Sequence, residues 1–462
     1  VSVYGRGECC RGVYKKVLDG KGVLYPEGMQ TGSVRRGFFI LPFFVYILTV
    51  SDMQYLLCDD ASIRKSLLPL TFTRPVALLR TGITTLQEKW NHFLGADAGF
   101  ATADYLRCKY GSWQDDSRPC LRVNASFIPD RMLAQAIASL QPGQLLMKDG
   151  QWVAFIFAPA DPAVPETDGV RIDLCGQEFC LSGSSAIEYA GQCRQIRYPW
   201  DIFLENGVQI SYDLEWLTEG RVSCAPAGEG MQCYGSHPLF AEEGAVVEHS
   251  LIDTSEGPVY LGKGSRIMPG CLIKGPLALC EGGLIKMGAK IYGGNTFGPY
   301  SKVAGEVENS VFIGYSNKAH DGFLGDAVLG EWCNLGAGTN CSNLKNDYSE
   351  VRVWNYAEER FVKTGLQFCG LIMGDHSKSA IGTQFNTGTV VGVAANVFSA
   401  GFPKNYIPSF SWGKETYRVE RALETAKIVY GRRGKVFAEE DARILRTIHE
   451  DTENNRLRFN TN

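Results

Sequence analysis

The segment around His320 combines residue types that could carry out acyl transfer to an amine. An ammonium group must lose a proton before its nitrogen can attack a carbonyl, and a histidine can accept that proton near neutral pH. A Gly-Ala-Gly turn follows within Asn334–Thr339, and its backbone N–H groups could donate to the developing oxyanion. We therefore predict that His320 is a general base. The alternative is a histidine that only caps a turn with a satisfied hydrogen bond.

The chain on both sides of His320 repeats with a period of six residues. An aliphatic side chain or a tolerated substitute recurs at this spacing, often followed by a small residue such as glycine. This period is typical of hexapeptide coils, in which the aliphatic side chain faces inward and coils stack into one core. It predicts a left-handed parallel β-helix over residues 240–410. The matching positions are Leu261, Ile267, Ile273, Leu279, Ile285, Ile291, Phe297, Val303, Leu329, Leu335, Cys341, Ile381, Thr387 and Val393.

The coil geometry also predicts neighbours for His320. One turn of such a helix takes about 18 residues, which would place His320 beside Gly338 on the next coil. The ragged stretches 305–309 and 343–369 interrupt the period and are predicted to be loops that protrude from the helix. His376, in a later coil, is predicted to be structural.

The preceding region, residues 53–235, has the pattern of an α/β domain. Residues 54–58 form a short apolar run typical of a buried strand, and 143–157 predict further strands. A helix is expected over 84–93 and a short one over 187–190. Strand followed by helix favours a parallel or mixed sheet.

A run of signature residues within this domain resembles the sugar nucleotidyltransferases. Pro69-Leu-Thr71 and Arg74-Pro75 follow Arg64 in the order of that family. The whole phrase LLPLTFTRPVALLRTGI resembles a divergent branch that is fused to a GlmU-like acetyltransferase. The resemblance implies that the side chains of Asp59, Arg64, Arg74 and Arg80 face the nucleotide and the sugar phosphates. The alternative is that the arginines are surface or domain-interface cations.

The same domain departs from the family at its phosphate loop and its metal site. Residues 60–64 lack the glycines that let backbone N–H groups close on phosphate oxygens. The family's magnesium-binding aspartate has no counterpart in Val123-Asn-Ala-Ser126, so Asp130 and, in the family phrase at 200–203, Asp201 are the candidates for Mg²⁺. We predict Asp201 as the metal ligand, and the activity of this domain is left open.

The segment 317–345 resembles the acetyltransferase half of the bifunctional GlmU enzymes and their archaeal relatives. The motifs that resemble the family are the Lys-Ala-His element, Leu324-Gly-Asp326, Asn334–Thr339 and an Asn-Leu-Lys phrase. The resemblance implies His320 as general base and a homotrimer with active sites in clefts between subunits. It further assigns Asn334, Asn343 and Lys345 to the sugar phosphate, and Ala337 and Lys378 to acetyl-CoA. Phe323 replaces a family tyrosine, and Glu306-Val-Glu308 replaces a lysine pair.

Composition excludes several other classes of protein. The 462 residues are 45% hydrophobic and 21% charged, with a formal net charge of −4 and no clustered basic face, so nucleic acid and membrane partners are not expected. The 15 cysteines lack metal-ligand spacing and indicate a reducing, cytoplasmic location.

The two ends of the chain carry separate expectations. Residues 1–52 are expected to be a non-native or disordered extension, with translation starting at Met53, although the apolar run 38–50 could imitate a signal peptide. Residues 411–462 are expected to form helices over 416–430 and 439–449, with a frayed end from 451.

The function predicted from these features is that of a bifunctional GlmU-like transferase. It would acetylate glucosamine-1-phosphate from acetyl-CoA and transfer a uridylyl group to the product, giving UDP-N-acetylglucosamine. The alternatives are an acetyltransferase with a degenerate nucleotide-binding domain, or a non-catalytic scaffold that binds sugar nucleotides.

Overall fold

A mixed six-stranded sheet organises the N-terminal domain in the computed structural model, which describes residues 54–111, 119–157, 169–175, 178–182 and 185–461. The expectations for 1–52 and for a start at Met53 lie outside these residues. The strand order is Gly99–Ala101, Gln54–Cys58, Cys120–Asn124, Gln151–Phe157, Gln144–Lys148 and Ser185–Glu188. Two small ribbons accompany the sheet, Phe127–Ile128 with Arg194–Gln195 and Gly169–Asp173 with Glu178–Ser182.

Helices pack on the sheet, and the last of them, Asp201–Leu217, precedes the β-helix in the chain. The predicted helix over 84–93 is confirmed as Leu86–Leu94, which begins at a capping box formed by Thr85 and Glu88. The short helix predicted over 187–190 is wrong, because Ser185–Glu188 pairs in parallel with Gln144–Met147 as an edge strand. The remaining α-helices are Ala61–Ser66, Arg107–Tyr110, Arg131–Ala138 and Asp201–Leu217, and the 3-10 turns are Val76–Leu78 and Asp104–Leu106.

Three parallel sheets wrap the rest of the chain into a triangular β-helix. The inward side chains, among them Ile267, Ile285, Val303 and Leu335, are buried in one continuous apolar core. This confirms the predicted order of an α/β domain followed by a parallel β-helix of the hexapeptide type.

We number the faces in the order in which the chain reaches them. The first face consists of Gln232–Tyr234, Leu251–Asp253, Leu272–Lys274, Lys290–Ile291, Glu306–Glu308, Phe323–Gly325, Asn340–Cys341 and Gln384–Phe385. The second consists of Leu239–Ala241, Val259–Leu261, Leu277–Leu279, Asn295–Phe297, Val311–Gly314, Val328–Glu331, Ile372–Met373, Val390–Val391 and Tyr406–Ile407. The third consists of Val246–Val247, Arg266–Ile267, Leu284–Ile285, Lys302–Val303, Asn317–Lys318, Asn334–Leu335, Lys378–Ser379, Asn396–Val397, Ser411–Trp412 and the antiparallel Glu415–Thr416.

The two interruptions of the hexapeptide period have different outcomes. The predicted loop at 305–309 is wrong, because Glu306–Glu308 is a strand of the first face within a shortened coil. The longer interruption, 343–369, leaves the stack between Asn340–Cys341 and Ile372–Met373. It carries its own hairpin, Arg352–Asn355 with Arg360–Lys363.

Three helices complete the chain and pack beside the β-helix. They are Val419–Gly431, Glu439–Asp451 and Glu453–Thr461. The first two match the predicted helices, and the third contradicts the expectation of a frayed end. Arg456 explains the difference, since its buried guanidinium donates to the carbonyls of Ser409 and His449. Among the described residues no helix is both long and apolar enough to cross a bilayer.

The N-terminal domain packs on the second face and shares its core with that face. Val311, Ile313 and Val328 lie in one buried apolar cluster with sheet and helix residues of the first domain. Asn206, in the helix Asp201–Leu217, ties the two parts by donating to the Gly294 carbonyl.

Candidate active site

A cavity of about 720 Å³ lies along the third face, beneath the end of the helix Val419–Gly431. Four predicted site residues line it: His320, Asn334, Ala337 and Lys378. They come from three consecutive coils, because Asn317 pairs with Asn334 and Asn334 pairs with Lys378. Stacking therefore joins residues that are far apart in the sequence.

His320 occupies the corner between the third and first faces. Its side chain is exposed, and its imidazole makes no hydrogen bond within the described part of the chain. The backbone of this corner is held from inside by Lys318, whose Nζ donates to the His320 carbonyl at 2.8 Å and the Ala304 carbonyl at 3.2 Å. A fixed backbone with an open imidazole is what a general base requires.

Lys318 is unusual because its side chain lies inside the β-helix. It is 1% exposed and occupies the inward position taken by Val303 on the preceding coil. Burial lowers the pKa of its ammonium group to about 8, against a small opposing effect of Asp321. Its partners are carbonyls at the corner, so Lys318 holds the backbone of His320 in place.

The residue that lies beside His320 on the next coil is one position earlier in the sequence than predicted. Asn317 and Asn334 are 17 residues apart, so this coil is one residue shorter than expected. Ala337 consequently lies next to His320, and Gly338 donates its N–H to the Asp321 carbonyl at 3.1 Å.

In the turn after Asn334, one backbone N–H makes no hydrogen bond among the described residues. Gly336 donates to the Ser379 carbonyl and Gly338 to Asp321, while the Ala337 N–H has no partner among the described residues. Of the three N–H groups expected to be able to stabilise an oxyanion, Ala337 alone is available for that purpose.

Five cations line the same cavity, and no carboxylate does. They are Lys286, Lys302, Lys378, Arg432 and Arg433, which we call the basic cluster. Burial lowers the pKa of Lys302, and the charges of Arg433, Lys286 and Arg432 lower it further. Such mutual repulsion favours the binding of an anion.

The stacked rings of Tyr315 and Trp332 form part of the cavity wall and belong to a series of aromatic corner residues. Tyr300, Tyr315, Trp332 and His376 occupy equivalent corners of successive coils, with backbone φ of 56°, 52°, 62° and 63°. Tyr315 and Trp332 stack with ring centroids 4.3 Å apart. The corners were expected to carry small residues, and stacking offsets the strain that a large side chain meets there. His376 is buried, and burial lowers its pKa to about 4.

Asn343 and Lys345 lie away from this cavity. Asn343 donates to the Asp326 carboxylate at 2.7 Å, and Lys345 Nζ donates to the Glu350 carbonyl at 2.6 Å. Both residues stabilise the start of the insertion at 343–369, and their predicted contact with the sugar or its phosphate stays a prediction.

Arg74 connects the two domains. Its buried guanidinium forms an ion pair with Asp375 of the β-helix and lies 3.4 Å from Glu331 Oε2. Thr73 donates to the same Asp375 carboxylate at 2.7 Å. Arg74 therefore lies at the interface between the two domains, and its predicted contact with a nucleotide or a sugar phosphate stays a prediction.

The other predicted phosphate-binding residues also contact protein groups. Arg64 donates to the Thr71 carbonyl and lies 3.4 Å from the Asp59 carboxylate. Asp59 accepts from the Val76 N–H and the Thr102 hydroxyl, and burial raises its pKa to about 6. Arg80 donates to the Ile83 carbonyl within its own turn.

The candidate metal ligands do not fit a magnesium site. Asp201 accepts the backbone N–H groups of Arg197 and Tyr198, both at 2.8 Å. Asp130 caps the helix Arg131–Ala138 by accepting from Leu133. No group of three or more metal-ligating side chains occurs within the described ranges.

Several residues of the cavity were missed from the sequence. Lys286 and Lys302 lie on successive coils, one lysine on each, and no local motif marks them. Tyr315 and Trp332 look like ordinary core residues in the sequence. Arg432-Arg433, a dibasic pair directly after a helix, was the one signal available.

Parts of this chain are similar to known transferases. The sugar nucleotidyl transferase family matches residues 55–222. A bifunctional sugar-1-phosphate nucleotidylyltransferase/acetyltransferase of Sulfurisphaera tokodaii is 33% identical over 93 residues, 20% of this chain and 23% of the relative. The bifunctional protein GlmU of Methanocaldococcus jannaschii is 29% identical over 132 residues, 29% of this chain and 28% of the relative. GlmU of Nitrosospira multiformis is 28% identical over 221 residues, 45% and 42% respectively. The chain thus spans less than half the length of each of these relatives.

Proposed function

We propose that this chain is a GlmU-like transferase, a sugar-1-phosphate nucleotidyltransferase/acetyltransferase, on the strength of its similarity to such enzymes. Its β-helix would transfer the acetyl group of acetyl-CoA to the amine of glucosamine-1-phosphate. Its N-terminal domain would then transfer a uridylyl group to N-acetylglucosamine-1-phosphate, giving UDP-N-acetylglucosamine.

The observation that carries the acetyl-transfer proposal is the grouping of four residues around one cavity. His320 presents an open imidazole beside Asn334, Ala337 and Lys378. These are the residues to which the family resemblance assigns the base, the sugar contact and the acetyl-CoA contacts. Stacking of coils brings them together without help from the N-terminal domain.

The chemistry follows from where these groups lie. The amine nitrogen attacks the thioester carbonyl while His320 accepts a proton from it, which is worth about 10²–10⁴ in rate. The Ala337 N–H donates to the oxyanion of the tetrahedral intermediate. Collapse breaks the carbon–sulfur bond, and the proton on His320 passes to the departing thiolate. The products are the amide and free CoA thiol.

One set of contacts favours the alternative in which only acetyl transfer remains. Arg74 is buried in an ion pair with Asp375, and Arg64 and Arg80 donate to carbonyls of their own domain. A nucleotide would have to displace these contacts to be bound by the same arginines. The first domain would then support the β-helix without catalysing a reaction.

Assembly and location are part of the same proposal. We propose a homotrimer, because the β-helix leaves its first face largely uncovered, and a cytoplasmic location, because acetyl-CoA and nucleotides are there. Light scattering on the purified chain tests the trimer.

The deciding experiment measures thiol release from acetyl-CoA with glucosamine-1-phosphate as acceptor. We expect acceptor-dependent release that falls by about 10²-fold or more in His320→Ala. His237→Ala, which removes another exposed histidine of the β-helix, is the matched control and should retain activity. Folded protein that releases no thiol with several amino-sugar phosphates would rule out the acetyltransferase.

Pyrophosphate release decides between the two forms of the proposal. Release from UTP with N-acetylglucosamine-1-phosphate supports the bifunctional enzyme. Thiol release without pyrophosphate release supports the acetyltransferase alone.

A further inference from the structure

The last coil of the β-helix leaves a cavity at the end of the stack. The chain passes there from the third-face strand Asn396–Val397 to the second-face strand Tyr406–Ile407 and forms no first-face strand between them. A cavity of about 390 Å³ lies at this loop and shares no lining residue with the cavity beside His320. Its volume is in the range of sites for small organic ligands. The end of the stack is therefore a second candidate binding site.

Apolar and aromatic side chains form most of the wall of this second cavity. Phe398 and Phe402 line it and are 43% and 60% exposed, so both rings contact water. Phe459, from the helix Glu453–Thr461, also lines it and packs against the core of the β-helix. Because burying an aromatic ring removes apolar surface from water, this wall favours a ligand with an apolar body.

The wall is built by contacts that already fix its rings. Gly413 has a φ of 57°, and a Cβ at this position would lie 2.8 Å from the Phe398 ring. The same ring makes an edge contact with Trp412, with centroids 5.5 Å apart. Lys404 Nζ donates to the Phe459 carbonyl at 3.1 Å and lies 4.5 Å from the centroid of its ring. The cavity is therefore formed before a ligand arrives.

Two lysines supply the charge of the second cavity. Lys404 and Lys414 line it, and no carboxylate of the described residues does. The ion pairs that lysines form within the described ranges all involve other lysines. Ammonium groups at the edge of an apolar wall match a ligand that carries one negative charge on an apolar chain, since each part of it then meets a suitable partner.

We propose that this cavity binds an alkyl carboxylate. The alkyl chain packs against the three phenylalanines, and the carboxylate accepts hydrogen bonds from the two lysines. Burial of apolar surface drives the binding, and the ammonium groups distinguish the acid from the corresponding alcohol. This binding does not depend on acetyl transfer at His320, so either proposal can fail without the other.

The test is calorimetric titration of the full chain at neutral pH with octanoate and with octanol, which has the same chain and no charge. We expect octanoate to bind about tenfold or more tightly than octanol. The double variant Lys404→Gln/Lys414→Gln should remove this preference and leave octanol binding unchanged. Phe402→Ala changes an exposed ring and should weaken the binding of both ligands.

The matched control is Lys65→Gln/Lys427→Gln, which removes two exposed lysines outside the cavity and should bind octanoate like the unaltered chain. Circular dichroism confirms that each variant folds. Failure of octanoate to bind, equal affinities for the two ligands, unchanged octanoate binding in Lys404→Gln/Lys414→Gln, or an equal loss in the control overturns the proposal. Association of the unaltered chain that light scattering detects and Phe402→Ala abolishes, without octanoate binding, makes the cavity a contact between copies instead.

Discussion

The ring of Tyr430 lies parallel to the indole of Trp332, with centroids 4.0 Å apart and planes inclined by 24°. Trp332 belongs to a corner of the β-helix, and Tyr430 to the last turn of the helix Val419–Gly431. This contact joins the C-terminal helix to the cavity wall and fixes where the arginine pair emerges.

Removing the ring of Tyr430 should release the helix from the cavity. Tyr430 is 8% exposed, so Tyr430→Ala should lower the free energy of unfolding by about 3 kcal/mol, measured by urea denaturation. Limited proteolysis should cut the variant between its C-terminal helices faster. Tyr430→Phe keeps the ring and should behave like the unaltered chain, and equal stability of the alanine variant would contradict the assigned contact.

The ion pair between Arg74 and Asp375 should behave as a buried pair. Replacing either partner alone leaves the other charge buried, and Arg74→Ala or Asp375→Ala should cost about 3–5 kcal/mol in chemical denaturation. The double variant Arg74→Met/Asp375→Leu should cost less than either single change. Additive losses would show that the two side chains act independently.

Lys318 should matter more for activity than for stability. Lys318→Met keeps the shape of the side chain and removes a desolvated ammonium group, so the free energy of unfolding should change by about 1 kcal/mol or less. The His320 carbonyl loses its donor, and kcat for acetyl transfer should fall about tenfold or more with little change in KM.

The pH dependence of the Lys318→Met variant provides a second measurement. Because the folded-state pKa of Lys318 is about 8 and the unfolded value is higher, the unaltered chain should gain stability as pH rises from 8 to 10. The methionine variant should lack this gain. A variant with the same gain and unchanged kcat would contradict the positioning role.

His376 should destabilise the fold at mildly acidic pH. Its folded-state pKa is about 4, so between pH 6.5 and 4 the unfolded chain binds a proton that the folded chain does not. This residue's contribution to stability therefore falls as pH falls through that window, with a slope of up to about 1.4 kcal/mol per pH unit. His376→Phe keeps a ring against Tyr430 and should flatten the dependence of Tm on pH, whereas an unaltered slope would assign it to other groups.

Local periodicity made most of the architecture predictable. An inward aliphatic residue at every sixth position is a property of neighbouring residues, and it located the β-helix before any contact was known. The strand Gln54–Cys58 and the helix Leu86–Leu94 were predictable for the same reason, since apolar pattern and capping are local.

The errors fall where a distant partner supplies the hydrogen bonds. Ser185–Glu188 looks helical by itself, but the strand Gln144–Lys148 fixes it as a sheet edge. Glu306–Glu308 looks like a loop, because shortening of its coil hides the period. The helix Glu453–Thr461 has no apolar face, and Arg456 holds it through carbonyls contributed by other segments.

The sequence by itself determined the two-part architecture, the candidate base His320 and the turn that carries Ala337, because each depends on residues close together in the chain. Tertiary structure decided which residues share the cavity. Arg433 donates to Asn317, which is 116 residues away in the sequence, and Arg74 forms an ion pair with Asp375, which is 301 residues away. The physical reason is that coil stacking and helix docking set these distances, and neither the register of a coil nor the placement of a terminal helix is encoded by local periodicity.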